Sequence, residues 1–396
     1  MRSINQRPAP ERLIFRPEKG PAGDVLVVVF LRGGMDALYA VPPHGDDRYF
    51  ACRPAMVAIA PGRTKGITDL DGLFGLHPQL AWFAEAYREK HLAIVHACGS
   101  PDSTLSHFHA MQTVERGVAE GASTGSGWLA RHLASHKSVN ASPMRAIAFS
   151  NVLPTSLQGA AQAQSVNSLS DLRLSLPAGW NGFSQALGQL YAQGQDPVAR
   201  AGRGTLQLMK SLERLQTEQY RPEGDAEYPP AALGRSLGQV AQLIKADVGL
   251  EVACLESHGW DSHLDTVGAL QQPLETLATS LCAFYRDLGD RLRRVVIVVM
   301  SEFGRRAHEN SAGGTDHGRG TAMFVMGGGL HGGKVYGQWP GLADDRLDRN
   351  GNLSVTTDYR SVLAEIVDRR LGNARLDEVF PGFTPRYLNL AVPRQA

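Results

Sequence analysis

Acidic, imidazole and hydroxyl side chains recur in this chain just past runs of branched apolar residues. Asp36 follows the run 24–35 with its Gly33-Gly34 pair, and Ser103, Thr104, Ser106 and His107 follow 91–98. His258, Asp261 and His263 follow 252–257, Glu302 and Arg305 follow 294–301, and Asp316-His317 lies between glycines ahead of 321–326. Carboxylate oxygen and imidazole nitrogen are the donors that zinc and similar divalent ions take. In an open parallel sheet, ligands bind beyond the carboxyl ends of the strands, where distant segments meet. The pattern predicts a metal-assisted enzyme whose site is assembled from most of the chain.

Each segment has its own chemistry and a plainer alternative. Asp36 can offer carboxylate oxygen to a metal, or close an Asx-type turn or helix cap. Residues 101–109 read as a loop opening a helix, where free N–H groups favour an anion. A hydroxyl there, beside a metal, can attack phosphorus or sulfur. Ser106 is the first candidate nucleophile, with Ser103 and Thr104 behind it; at least one of these hydroxyls reads as a helix cap. His258, Asp261 and His263 place two imidazoles and a carboxylate in one loop, with Asp261 and His263 on the same side if the chain is extended. Glu302, at the end of so apolar a strand, needs a compensating cation, either a metal ion or Arg305. Asp316 and His317 add a nitrogen–oxygen donor pair, or form an ordinary polar turn. His107, His109 or Arg305 would steady a bound anion.

The elements that must carry these residues alternate strand with helix. Residues 78–89 have amphipathic helical spacing and lead into strand 91–98. Strands return at 250–255 and 295–300, joined by a helix over 274–292 with Pro273 suited to its first turn. The stretch 355–367 opens as a helix capped by Thr or Asp. Such alternation implies an α/β fold with a mostly parallel sheet covered by helices on both faces. Residues 1–23, rich in proline and charge, read as a loose arm, and 24–396 as a single domain. Within it, 177–246 turn polar and helix-patterned, as a helical insertion against the sheet edge or a cap over the site.

A net charge of +1, with 20% charged and 43% hydrophobic residues, is an ordinary globular balance. It gives no electrostatic reason to bind nucleic acid or an anionic membrane. No apolar stretch approaches the ~20 residues that span a bilayer. The start lacks an apolar signal segment, so the sequence as it stands predicts the cytoplasm, or the periplasm if an export leader has been removed. Cys52, Cys98, Cys254 and Cys282 form no Cys-x-x-Cys pair. Cys98 and Cys254, in or near apolar runs, read as buried reduced thiols.

The order of these segments resembles the alkaline phosphatase–sulfatase superfamily, from an Asp after the first strand to a closing Thr357-Asp358 helix. More closely, Leu-Arg-Gly-Gly-Met-Asp36, Ser106-His-Phe, His258-Gly-Trp-Asp-Ser-His263, Ser301-Glu-Phe-Gly-Arg305 and Gly-Thr-Asp316-His317-Gly resemble one bacterial family within it. That family is a domain of unknown function, often exported by the twin-arginine route, and the match runs from about 25 to 383. The resemblance implies an alkaline phosphatase-like three-layer sandwich. It also implies hydrolysis or transfer of a phosphate or sulfate ester, on a small-molecule or glycan substrate, through a Ser or Thr nucleophile. One metal site would draw on Asp261 or His258, with His263 and His317; a second would draw on Asp36, Glu302 and the Ser106 hydroxyl. Zinc is the foremost ion, with manganese or calcium as alternatives. Phe303 stands where the superfamily carries a ligating His, which also admits a non-catalytic or single-metal binding protein that keeps the fold. The sequence implies no oligomeric state.

Overall fold

β-branched residues dominate the two central strands, 25–31 and 295–301, because both faces of a covered sheet exclude water. The structure, a computed structural model, describes residues 23–394 apart from 123, 137–139, 141, 162, 173–181, 195, 197, 200, 201, 204, 205 and 207–219. Its strands are β1 (Val25–Leu31), β2 (Thr68–Asp69), β3 (Gly75–Leu76), β4 (Leu92–Gly99), β5 (Ala146–Phe149), β6 (Ala163–Val166), β7 (Val252–Ser257), β8 (Val295–Ser301), β9 (Thr321–Gly327), β10 (Lys334–Tyr336) and β11 (Thr357–Asp358). β2 and β3 form a separate hairpin. The others build one sheet in the order β10-β4-β9-β8-β1-β7-β5-β6, with β11 added beside β4.

Every pairing in that sheet is parallel except the two made by β9. The reversal matters for the site. Thr321, the first residue of β9, pairs with Cys98 near the end of β4. The loop that precedes β9 therefore lies at the edge where β1, β4, β7 and β8 finish, and it carries Asp316 and His317 there.

Side chains alternate across the strands. Val25, Val27, Val29 and Leu31 pack with Leu237 of the helix Ala232–Lys245 and Leu274 and Leu281 of the helix Thr266–Leu288. Leu26, Val28 and Phe30 face the other way, onto Trp128 and Leu129 of the helix Trp128–Ser135 and Val362 and Ile366 of the helix Tyr359–Arg369. The molecule is thus mixed α/β, a mostly parallel central sheet with helices on both faces. Asp358 caps the last of these helices by accepting the Arg360 N–H.

One local expectation is corrected. Pro273 does not open a helix; it lies inside Thr266–Leu288, which starts earlier because Asp265 caps it, accepting the Gly268 N–H. Proline at that interior position removes one ladder donor, and packing of the helix against the sheet outweighs the loss. Of the expected arm 1–23, residues 1–22 lie outside the described residues. The described parts of 177–246 include the helices Phe183–Gln193 and Ala232–Lys245; residues 177–181 and 207–219 lie outside the described residues. All four cysteines are free thiols. Among the described residues no helix is long and apolar enough to cross a membrane.

Three buried histidines are held neutral. Nδ1 of His77 accepts the Gln79 N–H, and Nδ1 of His96 accepts the Ala97 N–H, while the His132 Nδ1 faces the Asn373 amide. Burial lowers His77 and His96 to about 4 and His132 to about 3. An unfolded chain takes up these protons first as pH falls below the ordinary histidine value of about 6.5. The stability they contribute is therefore present above that value and is lost as pH drops toward 4, by up to ~1.4 kcal/mol per pH unit for each ring. Urea unfolding with a chelator present is expected to show at least about 2 kcal/mol lower stability near pH 5.5 than near pH 7.5. An unchanged urea midpoint would mean that these rings are not kept neutral by burial.

Candidate metal centre

Glu302 directly follows β8, with only 1% of its surface exposed. Its Oε1 accepts the backbone N–H groups of Gly33 (2.9 Å) and Gly34 (3.1 Å), and its Oε2 accepts the Ser301 hydroxyl (2.9 Å). Two successive N–H groups aimed at one carboxylate form an anion nest. The nest requires the left-handed φ of +123° and +67° that Gly33 and Gly34 adopt. At Gly34 a Cβ would also come within 2.6 Å of the Phe303 ring. The fourth donor to Glu302 is His107, whose Nδ1–H reaches Oε1 at 2.7 Å.

His107 is the first residue of the helix His107–Arg116, which follows the loop after β4. Arg32 fastens that helix to the sheet by pairing with Glu115 on it (2.9 Å) and with Glu256 on β7 (2.6 Å). With Nδ1 committed to Glu302, the His107 Nε2 points to the His317 Nε2 at 3.0 Å. His317 donates its own Nδ1–H to the Leu105 carbonyl (2.8 Å), so its Nε2 carries the lone pair. His263 places its Nε2 2.9 Å from that same atom and its Nδ1 3.4 Å from Asp316 Oδ1. Asp261 completes the group: Oδ1 lies 3.1 Å from His263 Nε2 and 3.4 Å from His317 Nε2, and Oδ2 lies 3.5 Å from His107 Nε2.

This donor set fits a divalent ion. Among the described residues, His107, Asp261 and His317 offer ligand atoms within 4.8 Å of one another, and His263 joins beside His317. Donor atoms around a tetrahedral zinc at about 2.0–2.1 Å are roughly 3.3–3.4 Å apart. Each imidazole has its Nδ1 facing an acceptor, namely Glu302, Asp316 or the Leu105 carbonyl, which is how metal-bound histidines are oriented. In the neutral rings that arrangement turns the His107 and His317 Nε2 lone pairs toward each other, a repulsion that a cation relieves, while the His263 Nε2 lies against His317 Nε2 and Asp261 Oδ1.

The electrostatics agree. The hydrogen bond to Glu302 raises the His107 pKa. Burial lowers that of His317, helped by the positive neighbours His107, Arg305 and His263. Burial alone would raise Asp261, yet the Arg305 hydrogen bond and charge carry it below the usual carboxylate range.

Several expected site residues stand elsewhere. Asp36 is not brought to the imidazoles: it is 1% exposed and pairs with Arg53, at 2.6 Å from Nη1 and 3.0 Å from Nη2. Arg305 is neither the partner of Glu302 nor free to steady an anion. Its guanidinium is buried, donating to the carbonyls of Gly33, Gly34 and Thr315 and to Asp261. His258 is largely exposed, 3.6 Å from Glu256, and His109 is exposed. Ser103 is exposed, while the Thr104 hydroxyl accepts the Ser106 N–H at 3.4 Å. Ser106 occupies the N-cap position of the His107 helix but makes no cap hydrogen bond, which leaves its hydroxyl exposed beside His107. Phe303 is an apolar wall, its ring centroid 4.7 Å from His107 and 5.0 Å from His317. Arg53 is not among the residues that sequence reasoning singles out; its one signal there is an arginine within an otherwise apolar stretch.

A family profile described as "Protein of unknown function (DUF1501)" matches residues 92–378, and the chain belongs to that family. No curated protein matches it. Similar solved structures include alkaline phosphatase from the Antarctic bacterium TAB5, with 10% identity over 78% of this chain and 93% of that one and a TM-score of 0.31. The PH0037 protein from Pyrococcus horikoshii has 12% identity over 78% and 86%, with a TM-score of 0.31. A putative sulfatase from Bacteroides thetaiotaomicron has 9% identity over 92% and 76%, with a TM-score of 0.31. The geometry of the candidate centre stands independently of these likenesses.

Glu302→Gln keeps the shape of the nest but removes the charge that orients His107. It is expected to weaken zinc binding by about 10- to 100-fold, measured by competition with a chromogenic chelator. An unchanged affinity would remove Glu302 from that orienting role.

Proposed function

We propose that this chain is a metal-dependent hydrolase of a phosphate or sulfate ester, with Ser106 as its nucleophile. The observation that carries the reading is the convergence of His107, His263, His317 and Asp261 beside an uncapped serine hydroxyl at a helix start. Three imidazoles and one carboxylate favour zinc over calcium, which prefers an all-oxygen shell. A divalent ion held there supplies Lewis acidity at the ester oxygen and lowers the pKa of a neighbouring hydroxyl.

The chain's own residues do the rest. Free N–H groups of the first turn of the His107 helix bind the ester's anionic oxygens. The Ser106 hydroxyl loses its proton to water as its oxygen bonds to phosphorus or sulfur; the bond to the leaving oxygen breaks, that oxygen takes up a proton, and water then cleaves the Ser106 ester and restores the hydroxyl. Glu302, Asp316 and the Leu105 carbonyl hold the imidazoles in register, and Phe303 excludes water from one side. In this reading residues 24–396 act as one unit, with 177–246 as a helical insertion. A second reading, a metal-binding protein without turnover, is favoured by Phe303 where the superfamily has a ligand.

Zinc-loaded protein is expected to turn over at least one class among aryl phosphates, phosphodiesters and sulfates. His317→Ala is expected to lose zinc and turnover together. Ser106→Ala should keep its zinc and lose turnover by roughly a thousandfold or more. Full turnover in Ser106→Ala would dismiss the nucleophile, and silence across all three ester classes with zinc bound would favour the second reading.

A further inference from the structure

We infer that the centre holds a single ion, because the carboxylates that a second ion would need are already neutralised within the protein. The inference rests on the metal-dependent reading above. The resemblance implies Asp36, Glu302 and the Ser106 hydroxyl as the side chains that a second ion would share, and protein donors already engage both carboxylates. A carboxylate offers about four acceptor positions. Asp36 fills them with Arg53 Nη1 (2.6 Å), Arg53 Nη2 (3.0 Å), the Thr315 hydroxyl (3.1 Å) and the Tyr39 N–H (3.2 Å). Arg53 is itself immobilised: Nε donates to the Ala307 carbonyl at 2.7 Å, and Nη2 also donates to the Arg306 carbonyl at 2.8 Å.

Turning Asp36 toward an ion would strand a guanidinium that is 1% exposed, and leaving a buried charge unpaired is strongly unfavourable. Glu302 is fixed in the same way, since rotating it away would orphan the Gly33 and Gly34 N–H groups and the His107 Nδ1–H. The Phe303 ring occupies the neighbouring space. Arg53 therefore supplies to Asp36 the positive charge that a second ion would bring, and Ser106 alone cannot hold one.

The test is zinc stoichiometry, by elemental analysis after equilibrium dialysis and by native mass spectrometry of the full chain. One zinc per chain is expected in the wild type and in Asp36→Asn, and none in His317→Ala. Two per chain in the wild type, falling to one in Asp36→Asn, overturns the inference and leaves the hydrolase reading standing. No zinc in the wild type overturns both. Should Asp36→Asn fail to fold, manganese-loaded wild type read by electron paramagnetic resonance decides: an isolated-ion spectrum is expected, and a spin-coupled pair overturns the single-ion centre.

Discussion

A carboxylate at the end of an apolar strand is tolerable only where donors meet it, and the Glu302 side chain sets much of the surrounding geometry through that requirement. Its nest consumes the glycine pair after β1, which draws the β1 and β8 ends together. Its remaining contact fixes the His107 ring, and through it the direction in which Nε2 points. The helix behind His107 is held by the Glu115–Arg32–Glu256 pairs, so the ring is fixed from both ends. A candidate ligand positioned this way would spend little ordering entropy on taking up an ion.

Arg305 plays the complementary part. From one buried guanidinium it bonds the loop after β1, the loop after β7 and the loop ahead of β9. It thereby ties Asp261 to the segment that carries His317. The rigid fork of arginine suits such a junction, because its donors are planar and cannot be lost by deprotonation. The reversed β9 completes the arrangement: a parallel strand there would send its leading loop to the opposite edge of the sheet, away from the other ligands.

The features legible in the sequence are those encoded by local pattern. The Val-rich runs of β1 and β8 and the apolar run of β4 form strands close to where their composition places them, and Asp261, His263 and His317 lie at strand junctions recognisable by residue type. Pairing across distance is what residue order does not carry. Asp36 has the residue type of a metal ligand, and only the fold reveals that Arg53 claims it. The need of Glu302 for compensation is visible in its apolar strand, but the compensation comes from backbone N–H groups and His107, and main-chain donors leave no mark on residue identity beyond the two glycines. Pro273 misleads because a proline is a helix-start signal only when packing does not override it.

The same logic separates a ligand from a structural carboxylate at this sheet edge. Asp36 and Glu302 are almost wholly buried, and protein donors occupy their oxygens. Asp261 and Asp316 keep substantially exposed side chains, at 46% and 47%; Asp261 has a single arginine on one oxygen and imidazoles around both. An ion arriving from solvent would meet Asp261, Asp316 and the exposed edge of His263 first. Burial therefore separates the acids: the enclosed Asp36 and Glu302 build the frame, while Asp261 and Asp316 stay open to solvent beside the imidazoles.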